Sequence, residues 1–239
     1  VSDRSGCWNL YRVAPDDSFV AVRTGEFDIG GPMWVFGESP YALLGDGSVV
    51  IDRDVLHVVS DPTALRARGS RVVVAGASWH TESQVVEIDA DGRVEVLRPA
   101  RDLGLDPAFF PEPEQLTFPT GDGSEVAHAL YYRPANPTVD APADERPPLL
   151  VLVHGGPTGS ARRSLHLPLR YWTSRGFAVV DVDYRGSAGY GRAYRRALDG
   201  RWGIADVEDA IAAARYLVDR GDVDGSKLLI RGGSAGGFT

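Results

Sequence analysis

Lys227-Leu-Leu-Ile-Arg-Gly-Gly-Ser-Ala-Gly-Gly-Phe-Thr239 decides how the rest of this chain is read. Residues 227–230 are a short apolar β-type run, and a Gly-x-Ser-x-Gly pattern follows at 232–236. A serine on a sharp strand-to-helix turn is held at strained backbone angles. Glycines on either side remove the side chains that would stop the turn from closing or a substrate from approaching. The pattern makes Ser234 a candidate nucleophile, with Gly232 and Gly236 clearing the bend. The N–H of Ala235 then stands at a helix start, facing any negative charge that develops in front of the hydroxyl. In a chain with 28 glycines the pentapeptide is weak by itself, and its weight comes from what precedes it.

Two further apolar runs, at 149–153 and 177–182, read with 227–230 as strands buried on both faces. Between the last two, Val207, Ala210, Ile211, Ala214, Leu217 and Val218 recur at helical spacing over 206–220. Asp206 is placed to cap that helix, Arg220 suits its last turn, and Gly221 offers a left-handed stop. Strand, crossover, strand, helix, strand defines an α/β class with a parallel sheet covered by helices.

The strand at 149–153 runs into His154-Gly155-Gly156-Pro157. A tetrahedral oxyanion needs a second donor besides the one after the nucleophile, and a glycine-rich loop lets a backbone N–H approach it. Gly156 is the expected donor, Gly155 keeps the loop open, and His154 shapes the loop without acting directly. The strand at 177–182 runs into Asp183-Tyr-Arg-Gly-Ser-Ala-Gly-Tyr-Gly191, at the carboxyl end where open α/β sheets bind ligands. Its glycines do not follow the dinucleotide order, and no P-loop lysine accompanies them. For Tyr184 and Arg185 the sequence leaves two readings open, cleft wall and structural turn.

The first half has another rhythm. Short β-type runs at 48–51, 55–60, 71–75, 84–88 and 93–97 are separated by turns, with Asp46-Gly47 and Asp91-Gly92 as hairpin signals. Evenly spaced strands of this kind predict stacked antiparallel sheets, as in part of a β-propeller. A Pro-rich, acidic stretch at 109–114 marks the boundary between a 1–113 domain and a 114–239 domain, and 134–148 reads as a surface loop.

Thirty-three acidic against 25 basic residues give a formal net charge of −8, which offers no bulk attraction to nucleic acid or to anionic membranes. The single cysteine, Cys7, forms no internal disulfide, and no Cys/His spacing suits a zinc site. No metal or other cofactor is expected. No run is long and apolar enough for a membrane span, and a cytoplasmic location is the expectation.

Taken together, His154-Gly-Gly-Pro-Thr-Gly159, the Asp183–Gly191 loop and Gly232-Gly-Ser-Ala-Gly-Gly237 resemble the prolyl oligopeptidase family of serine peptidases, most closely its acylaminoacyl-peptidase and dipeptidyl-peptidase-like branch. Trp202-Gly203 and Asp206-Val-Glu-Asp209 share the likeness, and Val1-Ser-Asp-Arg-Ser-Gly-Cys-Trp-Asn-Leu-Tyr11 is similar to a propeller-blade segment of such enzymes. The resemblance implies the N-terminal half of an α/β-hydrolase domain behind a partial β-propeller that limits admission to short peptides. It implies Ser234 as nucleophile and Gly156 and Ala235 as oxyanion donors.

In this fold the order of the triad is Ser, then Asp, then His. All five histidines, His57, His80, His128, His154 and His166, precede Ser234. The expectation is therefore a sequence cut at both ends, with the remaining triad members beyond it and no activity of its own. An esterase of the same fold, or a non-catalytic propeller-type binding module, are the competing readings. Cleavage preference and oligomeric state are not legible.

Overall fold

The computed structural model describes residues 1–239 and divides into two compact units. The first holds Val1–Leu103 with Arg162–Leu165 and Ala188–Ala193, and the second holds Gly104–Ala161, His166–Ser187 and Tyr194–Thr239.

The first unit is all β. Strands β1 (Leu10–Val13) and β2 (Phe19–Arg23) form one hairpin, and β3 (Tyr41–Leu43) and β4 (Val49–Ile51) another. Strands β5 (Asp61–Arg68), β6 (Arg71–Ala77), β7 (Gln84–Ile88) and β8 (Val94–Arg98) make an antiparallel sheet in sequence order. Both expected Asp-Gly turns close hairpins, joining β3 to β4 and β7 to β8. At the first, the Asp46 carboxylate accepts the Ser48 N–H at 2.9 Å and its hydroxyl at 2.6 Å, bonds that hold the carboxyl below its ordinary pKa. Alternation along β6 buries Val72 and Val74, which pack with Leu65 and Val86.

The expected strand at 55–60 is not one. A 3-10 turn spans Asp52–Val55, and the N–H groups of Val58 and Val59 both reach back to the Val55 carbonyl. The buried pair Val55 and Val59 is spaced four apart, which suits one side of a helical turn as well as it suits an apolar strand.

Excursions from later in the chain complete this unit. The Ser60 hydroxyl donates to the Arg163 carbonyl at 2.6 Å, and the Ser164 hydroxyl donates to Asp61 at 2.8 Å. Buried Asp28 accepts N–H groups from Trp8, Gly189 and Gly191 at 2.7, 3.1 and 3.0 Å.

The second unit is a mixed sheet with helices. Strands β9 (Glu114–Thr120) and β10 (Glu125–Tyr132) form an antiparallel hairpin. Strand β11 (Leu149–Val153) is followed by α1 (Leu167–Thr173), β12 (Ala178–Asp183), α2 (Gly191–Arg196), whose residues up to Ala193 belong to the first unit, α3 (Ala205–Asp219), β13 (Leu228–Gly232) and a last turn of helix, α4 (Ala235–Phe238). The order across the sheet is β13-β11-β12-β10-β9, with β11 parallel to both β12 and β13. Strand β12 is buried along its whole length, and Val180 and Val182 pack with Val151, Phe118, Ala213 and Leu217 in one core. Each large apolar side chain so covered is worth about 1.5–3 kcal/mol.

Two expectations need correction. Strand β13 was expected to be buried on both faces, yet Leu228, Leu229 and Ile230 are 46%, 43% and 60% exposed. It is an edge strand here, bonded to β11 alone. The helix over 206–220 starts one residue earlier, at Ala205, and Asp206 is not its N-cap residue. Asp206 stands within the first turn and accepts the Gly203 N–H at 2.6 Å from there. Gly221 does adopt the left-handed conformation, with φ 75°.

Register places the site. Val153 pairs with Val182 on one side and Gly232 on the other, so the three parallel strands end level with one another. Their loops, beginning at His154, Tyr184 and Gly233, all leave the same edge of the sheet.

Candidate active site

Ser234 has φ 52° and ψ −118°, one of two non-glycine residues with positive φ. It is exposed, and its carbonyl accepts the N–H groups of Gly237 and Phe238 at 3.0 and 3.1 Å, starting α4. The serine therefore stands where strand becomes helix, at backbone angles that L side chains rarely take.

The neighbouring glycines are sterically necessary. A Cβ on Gly232 would run into the Gly236 carbonyl, and one on Gly236 would run into the Val153 carbonyl at the end of β11. A Cβ on Gly155 would lie 3.0 Å from the Gly233 carbonyl oxygen and 3.3 Å from Ser234 Cβ. The glycine-rich loop after β11 and the serine turn after β13 are thus in contact, backbone to backbone. Gly156 carries positive φ, and its carbonyl accepts the Gly159 N–H at 2.5 Å, folding the loop back on itself. Ala235 is buried behind the turn at the start of α4.

His154 fixes the base of this loop. Its ring stacks on Tyr184, with centroids 4.4 Å apart and planes 17° from parallel. Nε2 lies 2.8 Å from Ser187 Oγ and Nδ1 lies 3.1 Å from the Gly155 carbonyl oxygen. Burial pushes the ring's pKa below its ordinary value, against the opposing pull of the Asp183 carboxylate 3.9 Å from Nε2. The Tyr184 hydroxyl donates to the His154 carbonyl at 3.3 Å, and burial raises its pKa. Both ring nitrogens of His154 are engaged, Nδ1 within its own loop and Nε2 by Ser187 of the loop after β12. His128, on β10, is 3.0 Å from the Thr117 hydroxyl.

Of the two readings left open for the 183–191 loop, the geometry favours structural support. Tyr184 is fully buried beneath His154, and Arg185, 1% exposed, turns away into a buried ion network. Its backbone N–H donates to Asp209 at 2.6 Å and its Nε at 2.9 Å, while one terminal nitrogen pairs with Glu208 at 2.9 Å and the other with Glu125. Asp209 also accepts the Thr120 hydroxyl at 2.6 Å.

Four residues that the motifs contain, but to which sequence reading gives no role of their own, contribute. Ser187 joins the His154 ring, Asp183 accepts the Ala161 N–H at 2.5 Å, and Asp209 anchors Arg185. A Cβ on Gly159 would lie 2.6 Å from the Gly155 carbonyl oxygen. Only Gly159 had a local signal, its place in the glycine-rich loop; the other three act across 22 to 33 residues of sequence. No group of three or more His, Cys, Asp or Glu side chains is arranged to hold a metal ion, and no helix is long and apolar enough to cross a membrane.

A strained serine between close-fitting glycines, against a second glycine loop at the carboxyl edge of a parallel sheet, is the arrangement of a serine hydrolase. Residues 164–239 match the model of the prolyl oligopeptidase family, the same family that the motifs resemble. The solved structure of a puromycin-hydrolysing peptidase from Mycobacterium tuberculosis is 42% identical and superimposes with a TM-score of 0.89, over 99% of this chain and 39% of that one. A puromycin hydrolase structure is 38% identical, with a TM-score of 0.87, over 98% of this chain and 38% of that one. The acylamino-acid-releasing enzyme of Arabidopsis thaliana is 36% identical over 91 residues, which are 38% of this chain and 12% of that protein. The chain thus spans well under half the length of the relatives it matches.

Proposed function

We propose that this chain carries the nucleophile and oxyanion site of a serine peptidase acting on short peptides. The observation that carries the reading is Ser234 at φ 52° on a turn packed against Gly155, in a chain 42% identical to a puromycin-hydrolysing peptidase. In this reading Ser234 Oγ attacks the scissile carbonyl, and a general base takes its proton. The N–H groups of Ala235 and Gly156 hold the oxyanion, while His154, Gly155, Tyr184, Arg185, Gly232 and Gly236 keep the two loops in place. Collapse of the intermediate breaks the C–N bond, the leaving amine takes the proton, and water then hydrolyses the acyl-serine.

His154 is not the base, because its nitrogens are engaged with Ser187 and Gly155. The base and its orienting acid come from polypeptide outside these 239 residues, and the 239 residues alone are inactive. No metal or other cofactor takes part. Residues 1–113 are part of a β-propeller, of which β5–β8 is one blade, and 114–239 begin the α/β-hydrolase domain. A cytoplasmic location completes the proposal.

The test is fluorophosphonate labelling of the complete protein beside Ser234→Ala, with turnover measured on peptide amides, puromycin and simple esters. Labelling confined to the serine-bearing protein, with amide turnover, is expected. Labelling that persists in Ser234→Ala overturns the assignment, and ester turnover alone makes the protein an esterase.

A further inference from the structure

Away from Ser234, the second unit contains a buried cation with no counterpart. Arg170, on α1, is 4% exposed, and Nε and both terminal nitrogens are buried without a hydrogen-bond partner. Its guanidinium lies 4.9 Å from the centroid of the Tyr132 ring, and that face is the partner the structure gives it. Burial lowers its pKa, yet a guanidinium stays charged in proteins. A charge so placed is a standing cost, and a cation–π contact offsets only part of it.

Arg170 also lines a cavity of about 610 Å³, within the range of small-molecule sites. Leu105, Phe109 and Phe110 form its apolar side, with Leu167 and Tyr171 from α1. A second cation, Arg175, lines it too, and no Asp or Glu does. Ser174 and Arg175 come just before β12, so this cavity lies toward the amino ends of the parallel strands. The loops that meet at Ser234 leave from the carboxyl ends.

We propose that this cavity binds a monocarboxylate with an apolar tail, its carboxylate pairing with Arg170 and its tail lying along Phe109 and Leu167. The planar fork of the guanidinium matches a carboxylate in two-pronged pairing. Nε and both terminal nitrogens have no exposed surface in this structure, so pairing requires the guanidinium to turn from Tyr132 toward the cavity, which an apolar tail filling the cavity favours over a strongly hydrated inorganic anion. The site stands apart from Ser234 and does not rest on the peptidase reading.

Octanoate titrated calorimetrically into the complete protein tests it, with octanol and inorganic phosphate as controls. Saturable binding of octanoate alone is expected, weakened at least about tenfold in Arg170→Met, as the loss of charged hydrogen bonds requires. Arg170→Lys keeps the charge without the fork and serves should the Met variant not fold; it is expected to bind about fivefold more weakly. Absence of saturable binding overturns the site, and so does equal affinity for octanol, which would mark an apolar groove only. A carboxylate side chain of the same polypeptide already paired with Arg170 would appear as no octanoate binding. Unchanged affinity in a folded Arg170 variant also refutes the proposal.

Discussion

Gly155 lies against Ser234 so closely that a methyl group on it would stand 3.3 Å from the serine Cβ and 3.0 Å from the Gly233 carbonyl oxygen. The two loops that supply the proposed nucleophile and its oxyanion donors therefore have no slack between them. Gly155→Ala pushes them apart by tenths of an ångström while leaving the core untouched. A misplacement of about 1 Å costs about 10²-fold in rate, and a shift of tenths of an ångström a smaller factor. The variant of the complete protein is expected to melt near the parent temperature but to react with a fluorophosphonate several-fold more slowly. A parent-like labelling rate would remove the loop from the chemistry.

The backbone at Ser234 makes a second, opposite prediction. A residue at φ 52° and ψ −118° stores about 1–3 kcal/mol, which glycine does not incur, less the 0.5–1 kcal/mol that glycine loses in the unfolded chain. Ser234→Gly is expected to stabilise the fold by about 1 kcal/mol and abolish labelling, whereas Ser234→Ala abolishes labelling without the gain. Thermal denaturation of the three proteins checks this, and identical melting temperatures would mean that the turn is unstrained.

Much of this arrangement is legible along the chain because it is local. Residues 84–88 and 149–153 read as strands and are strands with the same limits, and the Asp-Gly turns close the hairpins they signal. A glycine-flanked serine after a strand likewise carries its own steric logic. What fails is what depends on distant partners. The apolar residues of β13 promise burial, but exposure is set by whether another strand lies beside them. Val55 and Val59 fail for a local reason instead, because their spacing satisfies a strand or a helical turn equally. Arg185 reads as cleft wall or support with equal ease until Asp209, 24 residues on, is seen to hold it.

That pair carries the third prediction. Asp209 is fully buried and Arg185 nearly so, and Glu208, Glu125 and Thr120 join the network, with Arg201 paired to both glutamates. Removing one partner strands the other charge in the interior, at a cost of about 3–5 kcal/mol. Arg185→Met is expected to lower stability by that amount in urea denaturation. Arg185→Met with Asp209→Leu should recover a large part of it, because the orphaned carboxylate is gone. If the double variant is no more stable than the single one, the network is more than a matched charge pair.

His154 supplies the last prediction. Its ring titrates below the ordinary value of 6.5 because burial disfavours the imidazolium, with Asp183 opposing less strongly. In the unfolded chain the ring takes up a proton as the pH falls through about 6.5. In the folded protein it resists until lower pH, so between the two values the unfolded state binds more protons and stability rises with pH. The contribution of neutral His154 is whole above that range and declines as the pH drops below 6.5. Other groups titrate in the same range, so the readout is the difference between the parent and His154→Gln, which keeps a polar side chain but no titration. Denaturation midpoints at pH 7.5 and pH 5.5 should show the parent losing more stability than the variant over that interval. Parallel losses would mean that the histidine under the loop is as easily protonated in place as in water, and that its burial against Tyr184 does not govern its charge.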